Sequence, residues 1–276
     1  MNTILLSVPK SGIVTTAILE SLDSLQAQLE SFGFSVIKVV SKGNRFETVG
    51  VNNWISFHKY GAVAVYPLTT KEAQNDRNDL LFSELESNGV SLEDIVDYTE
   101  AETEGYFLEG KKSFVTDPVN QVAFASISKC TDEDLFIEFC EDFEYTPIVF
   151  SSMDAKGCTI SYTSDVLMIG ENFALLVSSF IKDKKERKLL LSQLKKEGKE
   201  IIFLTEQQYD EAICSVVELR RSNAKNVLLV PEKSQSGFTK QQLAVLKKYN
   251  ELLFVDGKSK DIENHLLTSW VTQIES

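Results

Sequence analysis

Strand-length apolar runs alternate with amphipathic helical stretches along the whole chain, and no Gly/Ser-rich or Pro-rich segment breaks the alternation. Ile18, Leu19, Leu22, Leu25 and Leu29 recur at helical spacing, which predicts a helix over 15–32 that stops at Gly33. Strands are expected at 3–8, 35–40 and 61–66, the last ended by Pro67. Residues 71–87 read as a polar-faced helix and 92–98 as a short one. Asp117-Pro118-Val119-Asn120 is a good turn sequence between strands at 112–116 and 121–127. Thr131 is placed to cap a helix over 132–143, whose first residues are acidic. A strand at 147–151 follows, then a hairpin of 165–169 and 173–178 around Gly170-Glu171-Asn172. Helices at 184–197, 207–213 and 239–249 alternate with strands at 200–204, 216–219, 226–230, 251–255 and 270–274. Strand, strand, helix, strand recurs several times. One α/β domain over 1–276, built from repeated small units, is the simplest reading, although no repeat shows at the level of residue identity.

Composition narrows the function classes. Over 276 residues, 43% are hydrophobic and 25% charged, values of an ordinary globular chain rather than a disordered one. The formal net charge is −13, from 28 basic and 41 acidic residues. Such a chain repels phosphate as a whole, so nucleic acid is set aside as a partner. No apolar run reaches membrane-span length, and the N-terminal residues lack the basic flank of an export signal. The cysteines Cys130, Cys140, Cys158 and Cys214 are scattered, which implies free thiols in a reducing cytoplasm and argues against a zinc site. Acidic runs at 93–109 and 132–144 and a basic one at 182–199 read as solvated helix faces. The alternative is a docking surface for a protein partner or a second copy of the chain.

The sequence holds no G-x-G-x-x-G, P-loop, H-E-x-x-H or G-x-S-x-G signature, and its two histidines, His58 and His265, lie far apart. Three other stretches carry a family likeness. Val51-Asn52-Asn53-Trp54-Ile55-Ser56-Phe57-His58, then Gly61 and Val65-Tyr66-Pro67-Leu68, resembles the "P-N-N-W-x-S-x-H…G…Y-P-M" stretch of the citrulline-utilisation hydrolases. These are amidinotransferase-related members of the arginine deiminase (pentein) superfamily. Gly105-Tyr106-Phe107-Leu108-Glu109-Gly110, with Ser113, Asp117, Ala123-Phe124-Ala125 and Ser128, is similar to their "G-x-F-L-E-G-x-x-S…D…A-Y-A…S". Ile160-Ser161-Tyr162-Thr163-Ser164-Asp165 through Ile169-Gly170 is similar to "I-Y-H-T-N-V-M-M-x-I-G". The three fall in the family's order across roughly residues 50 to 274.

The resemblance implies a pentein-type α/β propeller of about five ββαβ units around a central site. It also implies a chemistry in which a cysteine thiolate attacks a guanidinium or ureido carbon, a histidine moves protons, and carboxylates or amides hold the planar nitrogens. No cofactor or metal is implied. Carried over residue by residue, Glu109 matches the acidic residue of "L-E-G", and Asn52 and Asn53 match the amide pair. The histidine of "Y-H-T-N" is Tyr162 here, and its asparagine is Ser164. The family's C-terminal "G-G-G-S-x-R-C-M" loop falls near 263–270, where the cysteine aligns with Ser269. Arg77 is what survives of the arginines that follow "Y-P-M" in relatives.

A serine hydroxyl needs a strong adjacent base, and a tyrosine is a poor base at neutral pH. The expectation is therefore a catalytically degenerate relative with no catalytic residues at Tyr162 and Ser269. It would keep a small-molecule cavity for a guanidino or ureido compound at Asn52, Asn53, Glu109 and Ser164, or serve as an interaction scaffold. The alternative is an active hydrolase or amidinotransferase on an arginine- or citrulline-like substrate with altered catalytic residues, acting on C–N bonds and using Glu109 as base if a hydrolase. Glu109 reads either as an inherited carboxylate or as a ligand anchor, and Asn52 and Asn53 as ligand groups or turn holders. His58, Trp54 and Trp270 read as structural, and Cys158 and Cys214 as buried thiols. His265 reads as a surface residue or a polar group facing the cavity. An open polar space among Glu109, Tyr162 and Ser269 would favour ligand binding, and a plugged one a scaffold.

Overall fold

The computed structural model describes residues 2–10, 12–43, 48–211, 213–258 and 266–274. They form five three-stranded sheets, each with a central strand antiparallel to one neighbour and parallel to the other. The sheets are β1 (Thr3–Val8) with β2 (Ser35–Val40) and β15 (Val271–Ile274); β3 (Ile55–Phe57), β4 (Ala62–Val65) and β5 (Asp94–Asp97); β6 (Phe114–Asp117), β7 (Val122–Ser126) and β8 (Thr146–Phe150); β9 (Leu167–Ile169), β10 (Phe173–Leu176) and β11 (Glu200–Phe203); β12 (Val217–Leu219), β13 (Asn226–Pro231) and β14 (Asn250–Val255).

A parallel neighbour needs a crossover, and a helix supplies each one. These are α1 (Thr16–Ser31), the pair α2 (Lys71–Asn75) and α3 (Leu81–Ser87), α5 (Glu133–Asp142), α6 (Lys184–Lys196) and α8 (Lys240–Tyr249). Two short helices, α4 (Gly110–Ser113) and α7 (Glu206–Asp210), sit in connections. The unit is thus ββαβ, as in penteins. Its central strands are near-continuous apolar runs because both of their faces are covered, and β7, β10 and β13 are buried throughout. The first sheet is completed by β15, with Thr3 opposite Ile274, so chain segments far apart in sequence share one unit.

Several expectations are corrected. Residues 92–98 hold the strand β5, not a helix; Ala62 to Val65 pair in parallel with Asp94 to Asp97. Asp94 and Asp97, part of the acidic run read as a solvated helix face, are charges of an edge strand. The helix expected over 71–87 is broken into α2 and α3. The Arg77 guanidinium between them is drawn to the Tyr66 carbonyl (2.9 Å) and to Glu102. Asp132, not Thr131, caps α5, accepting from the Leu135 amide at 3.1 Å.

Apolar side chains fill the seams between units: Phe124 and Phe150 share one cluster with Leu175, Leu176 and Leu228, and Ile4 and Leu22 another with Leu229 and Trp270. One seam is polar. Lys199, with no exposed side-chain surface, pairs with Asp117 at 2.6 Å and donates to the carbonyls of Gly170 (3.0 Å) and Glu171 (2.9 Å). It ties the third unit to the fourth. Among the described residues no helix is long and apolar enough to cross a membrane.

Candidate functional site

Glu109 is placed by a glycine. Gly110 begins α4 at φ +46, and a Cβ there would lie 2.3 Å from the Asn52 carbonyl oxygen, so only glycine lets α4 dock on the 51–53 turn. The Glu109 amide then donates to Ser113 Oγ (2.7 Å), which donates to the Cys130 carbonyl (2.6 Å). The buried Glu109 carboxylate is closely satisfied. Oε1 accepts from the Thr69 amide (3.0 Å) and from the Thr69 hydroxyl, and Oε2 accepts from the Tyr162 hydroxyl at 2.8 Å. The Arg77–Glu102 pair braces the Thr69 loop from behind, since Glu102 also accepts from the Leu68 amide at 2.8 Å.

Tyr162 enters from the fourth unit, just ahead of the turn Thr163–Asp165. Thr163 fixes that turn: its hydroxyl donates to the Ser113 carbonyl and accepts from the Ser126 amide at 2.7 Å. Burial first, then the Glu109 charge, pushes the Tyr162 phenol well above its ordinary range. It therefore stays protonated and acts as a donor to Glu109, not as a base. The ammonium of Lys112 sits 5.2 Å from the centre of the Tyr162 ring.

These groups border a cavity of about 140 Å³ lined by Gly50, Asn53, Thr69, Glu109, Lys112 and Tyr162 among others. Asn53 Oδ1 is buried there with no hydrogen-bond partner. Asn52 is turned away from the cavity, its amide donating to the carbonyls of Thr268 and Val271, both at 2.9 Å. It thereby pins the π-helical turn Leu266–Trp270, which carries Ser269. Ser269 is 1% exposed and its hydroxyl has no partner. It packs beneath Gly50, where a Cβ would approach the Ser269 carbonyl oxygen to 2.4 Å. Ser164 lines a different cavity, one that Cys214 also borders.

Cys130 is a neighbour that the sequence reading passed over. Its buried thiol stands beside Tyr162 and Glu109. Burial, then the Glu109 charge, raises its pKa, so it is held as a thiol rather than a thiolate. The likeness of residues 105–128 to a family motif stops two positions short of it, and no cysteine spacing flagged it. Cys214 is buried as expected, but Cys158 is exposed.

No imidazole stands at this cavity among its described lining residues. His265 lies outside the described residues. His58 is enclosed by Phe139, Phe143 and Tyr145, with Nε2 2.6 Å from Ser56 Oγ. Burial, then Lys111, lowers its pKa to about 3. The unfolded chain therefore binds the extra proton between about pH 6.5 and pH 3, and stability falls as pH drops through that window. The slope this residue adds approaches ~1.4 kcal/mol per pH unit. Urea unfolding at a series of pH values should show it, and His58→Gln should flatten that part of the profile.

A sequence model of the family described as N,N dimethylarginine dimethylhydrolase, eukaryotic, matches residues 8–264. The chain belongs to that family. No curated protein matches this dimethylarginine dimethylhydrolase relative in sequence. Solved structures do match it in fold. ArgZ, an arginine dihydrolase from the ornithine–ammonia cycle in cyanobacteria, gives a TM-score of 0.72 at 11% identity over 100% of this chain and 40% of ArgZ. This family member thus spans about two fifths of that protein's length. The N-terminal domain of ArgZ, as a cysteine-to-serine mutant bound to substrate, gives 0.70 at 10% identity over 100% of this chain and 99% of that one. A dimethylarginine dimethylaminohydrolase adduct with 4-chloro-2-hydroxymethylpyridine gives 0.68 at 9% identity, over 99% of each chain. The chain is a pentein and a relative of guanidino-group hydrolases.

Proposed function

We propose that this dimethylarginine dimethylhydrolase relative binds a small guanidino or ureido compound in the Glu109 cavity and does not hydrolyse it. In this reading residues 1–276 act as one domain in the cytoplasm. The observation that carries the proposal is the Tyr162–Glu109 hydrogen bond of 2.8 Å, at the position where the family resemblance implies the proton-carrying histidine. A protonated phenol bound to a carboxylate neither activates a nucleophile nor relays its proton. Ser269, at the position of the implied cysteine, has a hydroxyl without a hydrogen-bond partner and lies under Gly50, outside the described lining of the cavity.

The cavity keeps recognition groups. Asn53 Oδ1 is an acceptor with no donor of its own. Glu109 Oε2 accepts one hydrogen bond and has room for a second. Both suit planar N–H groups, and the volume suits the head of such a ligand. ArgZ gives a parallel: its substrate-bound N-terminal domain carries serine in place of a cysteine.

Cys130 favours a second reading, an active hydrolase with a displaced thiol, because it lies beside Glu109. Its raised pKa works against that role. Titration calorimetry with N,N-dimethylarginine, arginine and citrulline, paired with product assays, separates the readings. Saturable binding without turnover is expected, and Glu109→Gln should weaken it about tenfold or more. Turnover that disappears in Cys130→Ser or Ser269→Ala would overturn the proposal.

A further inference from the structure

The third sheet carries a helix on each face. α5 lies on one, where Phe136 and Phe139 share a cluster with Ala123, Ala125 and Val149. α6 lies on the other, where Leu190 and Leu194 share a cluster with Phe124, Ile148 and Phe150. Alternate residues of β7 and β8 thus look to opposite helices. α5 and α6 hold the same place in successive ββαβ units, so they run in the same sense, side by side on the rim. Between them lies the open edge of β8, where Pro147 has no amide to offer a further strand.

The outward faces of the two helices are opposite in charge. On α5, Glu133, Asp134, Glu138 and Glu141 are exposed around a half-buried Ile137. On α6, Lys184, Lys185, Lys188, Lys195 and Lys196 are exposed around Leu189, which is 51% exposed. Neither helix exposes a charge of the other sign. Among the described residues no ion pair engages any of these side chains. The acids at the start of α6 are used elsewhere. Asp183 caps the helix, and Glu186 accepts from the Ser151 amide (2.9 Å) and hydroxyl (2.8 Å). Lys59 borders Asp142 and Glu144 at the far end of α5 and offsets those two, not the four acids before them.

We propose that this rim is an interface for a second copy of the chain, paired about a two-fold axis that runs between α5 and α6, parallel to the propeller axis. That axis sets α5 of each protomer against α6 of the other, twice over, with Ile137 meeting the partner's Leu189 between the charges. A two-fold axis across the helices would set α5 on α5 and α6 on α6, like on like, so the charges select the first arrangement. Two chains of net charge −13 repel as wholes, and contact forms where the sign is locally reversed, as on α6. Another acidic protein would match α6 and leave α5 unmatched, whereas a second copy matches both. Two short helices make a small contact whose charges stay close to water, so the dimer is weak and salt-sensitive. No lining residue of the Glu109 cavity takes part.

Sedimentation velocity of the full chain at roughly 100 μM, in about 50 mM and then about 500 mM salt, tests this. A reversible dimer is expected at low salt, with a Kd that rises about tenfold or more at high salt. One triple variant, Lys185→Glu with Lys188→Glu and Lys196→Glu, should be monomeric. So should a second, Asp134→Lys with Glu138→Lys and Glu141→Lys. Mixed in equal amounts, the two should form a one-to-one dimer, because both contacts are then again of opposite sign. All six positions are exposed, and recovery on mixing separates lost pairing from lost folding. A monomer at both salts, a dimer indifferent to salt, or a triple variant that dimerises like the parent overturns the proposal. No dimer on mixing overturns the pairing of α5 with α6. Species that keep growing with concentration show an open head-to-tail contact and overturn the two-fold arrangement.

Discussion

Lys199→Met is expected to destabilise the protein by about 3–5 kcal/mol, read as a drop in the urea midpoint at unchanged slope. The lysine is wholly enclosed, and its partner Asp117 is 2% exposed. An ammonium out of water is tolerated only when its protons are all used, and here they go to Asp117 and to the carbonyls of Gly170 and Glu171. Methionine fills the space but returns nothing to those acceptors. The Asp117 carboxylate would keep its contacts with Asn120 and the Val119 amide yet lose its counter-charge. Glu197 adds to the strain: one of its oxygens is buried without a partner, and burial, outweighing its bond to Gln193, raises its pKa. Because the pair is dry, the deficit should persist at high salt, unlike that of a surface pair. Pairing Lys199→Met with Asp117→Leu should recover much of the loss, since a buried ion pair replaced on both sides leaves no orphan charge. A loss under 1 kcal/mol in the single variant would show that water reaches the seam.

That seam illustrates what was and was not legible in the residues. Lys199 closes a basic run that reads as the solvated face of α6, and its neighbours on the helix fit that reading. Lys199 itself sits past Gly198, where the chain turns inward, and nothing in a charge pattern distinguishes a lysine heading for a buried aspartate 82 positions earlier. The helices α1, α5, α6 and α8 were legible because each is long enough to repeat its apolar spacing. The innermost strands β3, β9 and β12 have three residues each, too few for alternation to show. β3 is contained in the motif stretch 51–58 and was not recognised as a strand. The site shows the same division. Glu109 and Tyr162 could be named singly through the family likeness, but their hydrogen bond depends on two propeller units meeting. Asn52 and Ser164, grouped with them from the motifs, are separated by the direction in which each side chain leaves the backbone: one pins the 266–270 turn and the other borders the cavity it shares with Cys214. Cys130 joins the cluster through Ser113, a contact that no spacing encodes.

The second large effect concerns the glycine that sets Glu109. Gly110→Ala should cost about 2–5 kcal/mol and abolish ligand binding in the Glu109 cavity. Two penalties add. An L-residue in the left-handed region pays roughly 1–2 kcal/mol, and Gly110 sits at φ +46. The new methyl also meets the Asn52 carbonyl oxygen at 2.3 Å and the Asn53 carbonyl carbon at 3.1 Å. These are backbone atoms that no rotamer change can move, and such overpacking costs about 1–3 kcal/mol. Relief requires α4 to lift off the 51–53 turn, which carries Glu109 away from Thr69 and Tyr162 and releases Asn53 from the cavity wall. Gly105→Ala is the control in the same chain. Gly105 also has a left-handed backbone, at φ +83, but nothing lies within 4 Å of its would-be Cβ. It should lose only the conformational part, about 1–2 kcal/mol, and keep full binding. Chemical denaturation of both variants, with calorimetry using the ligand that binds the parent chain, gives the comparison. If Gly110→Ala were no worse than Gly105→Ala and bound the ligand normally, the close approach of α4 to the Asn52 carbonyl would not be what holds Glu109 in place.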